Sequence, residues 1–155
     1  MRFLKFLPGI ALVLFLLVVF KPFYVNGLLP IPADTIVGMY YPWYRQIPVK
    51  NPLITDAVRQ GYVWRELAIS QIKNGQLPVW NPYSFSGYPL LANFQSAPFY
   101  PLNLIYWLTS FSVGWSLQVI AQMLLGGIFM WMFLKNLKLR DEAVALGVLA
   151  WVGSG

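Results

Sequence analysis

From Leu102 to Leu134 the sequence carries no charged residue. About 20 predominantly apolar residues in a helix cross a bilayer core, so this run is too long for one straight span. Thr109-Ser110 and Gly114 mark a break within it. The expectation is a short interfacial helix over 102–111 and a span over about 115–134. Tyr106, Trp107 and Trp115 suit the aromatic belt of a membrane surface. Gln118 and Gln122 share one face, as do Gly126 and its neighbours, and such a span is expected to pack on other helices.

Two more apolar runs point the same way. Arg2 and Lys5 precede the stretch from Phe6 to Phe20, which ends at Lys21-Pro22. A positive start followed by a short apolar run has two readings, a cleaved signal peptide or an uncleaved first span. Including Phe3, Leu4 and the residues up to Val25 makes the run long enough to cross, and residues 1–25 are read as a first transmembrane span. Lys135, Lys138 and Arg140 form a short basic segment within 135–142, and a third apolar helix starts over 143–155. The chain then stops, so the expectation is an N-terminal piece of a larger multi-span protein, or a truncated gene product. The basic residues at both short ends place those ends in the cytoplasm and residues 26–101 outside, because long loops translocate largely regardless of their charge.

Composition narrows the chemistry. Charged residues are 10% of the chain, against roughly 25% in a soluble domain. Cysteine and histidine are absent, which removes thiolate chemistry, imidazole catalysis and the commonest metal ligand. The acidic residues are Asp34, Asp56, Glu66, Asp141 and Glu142. The net charge of +6 fits membrane topology and anionic lipid, and nothing else supports nucleic-acid binding. No nucleotide-binding glycine loop, zinc spacing or serine-triad signature occurs.

The fold class is therefore an α-helical multi-pass membrane protein whose first spans flank a long extracytoplasmic loop. Within that loop a helix is predicted over about 55–74, with Thr55 as N-cap, Asp56 in the first turn and Asn74-Gly75 as the stop. Val58, Tyr62, Ile69 and Ile72 lie on one face, interrupted by Arg65, as in an amphipathic juxtamembrane helix. Residues 75–101, GQLPVWNPYSFSGYPLLANFQSAPFYP, hold too much proline, glycine and asparagine for regular structure and too many aromatic rings for a disordered linker. A stiff, turning loop of this kind usually serves a site.

The run from Asn51 to Asn103 resembles the first extracytoplasmic loop of the bacterial YfhO-like membrane proteins. The matching residues are Asp56, Arg59-Gln60, Trp64-Arg65, Gly75, the LPVWNPYSFSGYPLLAN block and QSAPFYPLN, with PADTIVGMYYPW upstream. That family is similar to the GT-C glycosyltransferases. The resemblance implies a protein of the bacterial cytoplasmic membrane that moves a sugar from a polyprenyl-phosphate carrier to an extracytoplasmic glycan or lipid acceptor. The family usually reads tyrosine-proline-tryptophan-arginine where this chain has Tyr62-Val63-Trp64-Arg65, and loss of that proline should leave the helix straighter.

Such a transfer needs a base or electrostatic partner for the acceptor, and cations or a divalent metal for the departing phosphate. Asp56 and then Asp34 are the candidate acids, and they are also the residues that would hold a metal. Their bland alternatives are a helix-dipole contact for Asp56 and a turn former for Asp34. Glu66 is read first as an ion-pair partner. Arg59 and Arg65 are candidates for a phosphate clamp, or else headgroup contacts; Lys50 and Lys73 read as headgroup contacts. Asn81 and Asn93 are candidates for sugar hydroxyls or turn caps. Trp80 and Tyr83 would stack on a sugar ring or anchor the loop on the bilayer. Gly87 is expected where the backbone requires glycine. The other function class is a non-enzymatic membrane assembly or transport component whose outer loop binds lipid or glycan.

Overall fold

The computed structural model describes residues 3–38, 40, 42 and 46–154, with the backbone alone at residues 3 and 4. Arg2 and residues 39, 41, 43, 44 and 45 of the upstream aromatic stretch lie outside the described residues. The helices, in chain order, are α1 (Leu7–Val19), α2 (Lys21–Asn26), α3 (Asp34–Val37), α4 (Val63–Lys73), α5 (Ile105–Leu108), α6 (Phe111–Asn136) and α7 (Asp141–Val152). Two short strands, β1 (Trp80–Asn81) and β2 (Tyr88–Pro89), pair antiparallel with Asn81 opposite Tyr88. The backbone forms two compact units, Met1–Pro30 with Ser116–Gly155, and Ile31–Trp115.

The first unit is built from three apolar helices. Leu12, Leu16 and Phe20 of the N-terminal helical run pack with Val144, Val148 and Val152 of α7, and Met123, Ile128 and Leu134 of α6 close the cluster. Glycines set the close approaches. The Leu12 side chain lies 2.6 Å from where a Cβ on Gly127 would stand, and Trp131 lies 2.9 Å from that point on Gly9. Between α6 and α7, Leu134 meets Gly147 and Trp151 meets Gly126. Both series run in opposite sequence directions, so α6 is antiparallel to α1 and to α7, and α1 and α7 run parallel. That order gathers Lys5, Lys135, Lys138 and Arg140 at one end of the unit. Lys135 Nζ donates to Asp141 Oδ1 at 2.7 Å there.

The outer faces of these helices stay apolar. Leu14 and Val18 of α1, Phe129 and Met132 of α6, and Leu146 of α7 are all exposed. The helix α6 is long and apolar enough to cross a membrane, and only 11% of its most apolar window is buried. A core helix of a soluble protein would be mostly buried. At 13 residues α1 is shorter, and α2 continues it through Phe20, whose amide bonds Leu16 and whose carbonyl receives Tyr24.

In the second unit the region predicted as one helix over 55–74 is assembled in steps. Asn51 caps a 3-10 turn, Pro52–Ile54, its Oδ1 accepting from Leu53 N at 3.0 Å. Next comes a π-helical segment, Ala57–Tyr62, and then α4. Thr55 is not the cap; it accepts from Val58 and Arg59 through its carbonyl. A wider π turn precedes Val63. Such insertions are found mostly at functional or strained positions. The helix ends at Asn74-Gly75 as the sequence indicates. Gln76 N bonds Gln71 O, Gly75 N bonds Ile72 O, and Gly75 has φ +74°, the Schellman arrangement.

The break in the long apolar run falls at Thr109-Ser110, where Thr109 is extended (φ −141°, ψ 169°). Gly114 is not part of it. This glycine lies inside α6, where the Tyr106 ring leaves 2.6 Å to the position of a Cβ. The helix thus starts at Phe111, before the predicted 115.

Candidate functional site

The second unit carries every candidate residue, and its core is Val58, Ala68, Ile69, Leu90 and Tyr106, all buried. The Asp34 carboxylate heads α3 and accepts from Lys50 N at 2.9 Å. That bond joins positions 34 and 50. Gly38 lets the returning chain approach, with Ile47 O 2.6 Å from where its Cβ would be. Asp34 therefore has a structural duty.

Asp56 is exposed and immediately precedes the π segment. Gln60 Nε2 donates to its Oδ1 at 3.5 Å, at the outer limit of a hydrogen bond. Arg59 is exposed as well. Its Nη2 donates to Tyr40 Oη at 2.7 Å, and its guanidinium lies 5.2 Å from that ring's centroid. Tyr40 was not singled out from the sequence, since a contact across nineteen positions leaves no local signal.

Arg65 belongs to a different cluster. Its guanidinium lies over Trp115 at 5.3 Å and hydrogen-bonds Tyr106. Around it, Tyr106 stacks on Phe111 at 4.5 Å, and Tyr62 meets Phe111 edge-on at 4.9 Å. Burial pushes the Tyr62 phenol above its ordinary value, and the Glu66 carboxylate adds to this. Burial also raises Tyr106, while the charge and hydrogen bond of Arg65 oppose that rise. Arg65 thus sits within the apolar face it was expected to interrupt. Arg59 and Arg65 engage separate partners.

The aromatic loop is shaped by its asparagines. Asn81 is buried, with Oδ1 accepting from Tyr83 N at 2.9 Å. Asn93 Oδ1 accepts from Gln95 N at 3.0 Å, and its Nδ2 donates to Tyr88 Oη at 3.4 Å. Both make turns. Ser96 donates back to Leu90 O and Asn93 O. Between the strands, Phe85 and Ser86 both have positive φ (53° and 63°), and Gly87 N bonds Ser84 O at 2.8 Å. This is the sign pattern of a mirror-image hairpin turn, made here without glycine at either central position. Gly87 itself has φ +105°, and the Trp80 indole lies 2.6 Å from where its Cβ would be. At the rim Tyr83 (83%), Phe85 (95%) and Phe94 (86%) are almost fully exposed, while Trp80 is half-exposed.

For a metal the donor set is thin. Among the described residues no three histidines, cysteines, aspartates or glutamates come together, and Asp34 already accepts a backbone hydrogen bond. Among the described residues the two candidate acids belong to no such cluster.

The chemically open features are thus an exposed carboxylate with an exposed guanidinium in the next turn, and an exposed aromatic rim. No protein-family model, curated protein or solved structure matches this chain.

Proposed function

We propose that this chain provides the outer loop of a multi-pass bacterial membrane glycosyltransferase of the YfhO-like, GT-C kind. The observation that carries this reading is that Asp56 and Arg59, three residues apart, are both exposed, on a loop followed in sequence by the apolar helix Phe111–Asn136. The end bearing Lys5, Lys135 and Lys138 would be cytoplasmic, and residues 26–101 would lie outside.

In the reaction an acceptor hydroxyl oxygen bonds to the anomeric carbon while the bond from that carbon to the lipid phosphate breaks. The electron pair leaves with the phosphate, and Asp56 takes the acceptor's proton. Arg59, pre-positioned by Tyr40, offers its remaining donors to the departing phosphate. The aromatic rim would take the sugar faces or the acceptor. Asp34 supports the loop and takes no part in proton transfer.

The test uses the complete protein in native-like membranes with radiolabelled polyprenyl-phosphate sugars. Asp56→Asn should abolish label transfer and leave folding intact. Asp34→Asn should keep transfer, because an amide oxygen still accepts from Lys50 N. Normal transfer by Asp56→Asn would remove the proposed base.

A second reading has its own support. Asn81, Asn93 and Arg65 are all engaged within the unit, which leaves few polar groups to hold a donor. This favours a non-enzymatic assembly or transport component that binds lipid or glycan through its aromatic rim. Absence of transfer with every donor, together with glycan binding lost in Tyr83→Ala, would select it.

A further inference from the structure

A groove in the second unit is used by neither reading above. It has a volume of about 300 Å³ and is walled by Ile72, Phe99, Tyr100, Leu104 and Trp107. Its wall is a built feature. Asn103 is buried, and its Nδ2 donates to Ala97 O at 2.7 Å and to Pro98 O at 3.0 Å, fixing the bend that carries Phe99. Ala97 holds a left-handed φ of 40° at that bend. The groove opens through exposed apolar residues: Leu104 is 70% exposed, Phe99 68% and Trp107 46%.

Two observations say what fills it. Trp107 is four positions before Phe111, where the helix apolar enough to cross a membrane begins. Tryptophan and tyrosine gather at such positions just outside a membrane-crossing helix. A cation links two of the segments that wall the groove. Lys73 follows the lining residue Ile72 and donates one hydrogen bond from Nζ to Tyr106 O. Tyr106 immediately precedes Trp107, so this bond joins the segment bearing Ile72 to the segment bearing Trp107. An ammonium has three donors, and two remain for a phosphate.

We propose that this groove binds one acyl chain of an anionic bilayer phospholipid, with the headgroup phosphate at Lys73. The site would fix the depth of the outer loop at the membrane surface. It does not depend on glycosyl transfer.

The test reconstitutes the complete protein in nanodiscs of phosphatidylcholine doped with acyl-brominated phosphatidylglycerol or acyl-brominated phosphatidylcholine. Bromine quenches tryptophan on contact. The chain has seven tryptophans, so the signal is the difference between the parent and Trp107→Phe. That difference should be quenched, and more by the anionic lipid. Lys73→Gln should reduce the anionic preference about fivefold, which corresponds to the ~1 kcal/mol of one cation near an anionic surface. Leu104→Gln changes an exposed side chain and should abolish the quenching without lowering the melting temperature. No quenching difference at Trp107, or equal quenching by both lipids in the parent, overturns the proposal. So does displacement of the brominated lipid by stoichiometric polyprenyl phosphate, which would assign the groove to the carrier.

Discussion

The Arg65 guanidinium carbon lies 5.3 Å from the centre of the Trp115 ring, and the same side chain hydrogen-bonds Tyr106. One residue of α4 thereby holds both the helix before the Thr109-Ser110 break and the helix after it. A partly desolvated cation–π contact is worth ~0.5–2 kcal/mol. Arg65→Ala should therefore destabilise the second unit by about 2 kcal/mol once the lost hydrogen bond is included. Arg65→Lys keeps the charge but loses the planar fork, and should recover only part of this. Denaturant unfolding in micelles, followed by tryptophan fluorescence, measures both. A lysine variant as stable as the parent would refute the role of the stacked fork.

The two tyrosines of this cluster give it an alkaline limit. Burial raises Tyr106 above the ordinary 10.0, against the opposing charge of Arg65. Tyr62 is raised by burial and by Glu66. A raised folded-state value means that the folded state holds the proton more tightly than the unfolded chain. The stabilisation is fully present below pH 10 and is lost as pH rises through the folded-state values. Lysines titrate in the same region, so the measurement is a comparison. Tyr62→Phe should show a shallower loss of stability above pH 10 than the parent, and identical slopes would count against this account.

Gly87 faces two constraints at once, a φ of +105° and the Trp80 indole where a Cβ would stand. An alanine there must displace the indole and hold a conformation that costs of order 1–3 kcal/mol. Gly87→Ala should expose the hairpin tip to protease and speed amide exchange at Leu90, whose N–H bonds Val79 O. Ser86→Gly should do the reverse, because a φ of 63° suits glycine better. Unchanged exchange in both variants would mean that this turn is not strained.

These cases mark how far the sequence was legible. The stop at Asn74-Gly75 and the break at Thr109-Ser110 could be read because each depends on its own neighbours. The bland alternatives for Asn81 and Asn93 were also local, since an asparagine side chain reaches the amide two residues on. What escaped was set by distant parts of the chain. Nothing near Arg59 points to Tyr40, and nothing near Arg65 marks Trp115 as its partner. The π turn over Ala57–Tyr62 was equally hidden, because the same residues have ordinary helical preferences. Gly114 misled as a breaker because a glycine needed for contact with a ring and one needed for a turn look identical in sequence.

Contact of a different kind governs the helices of the first unit. Gly127 stands against Leu12 with 2.6 Å between the position of a Cβ and Cδ1, and 2.7 Å to Cδ2. Leu12 is 1% exposed, so its rotation meets other side chains. Gly127→Ala should overpack this crossing and cost about 1–3 kcal/mol. Leu12→Ala should open a cavity and cost about 2–5 kcal/mol. In the double variant the new methyl enters part of the space that leucine vacates. The combined loss should fall short of the sum by about 1 kcal/mol or more, the coupling expected of residues in contact. Unfolding of the four chains in the same detergent closes the cycle. Strict additivity would mean that α1 and α6 do not meet at this pair.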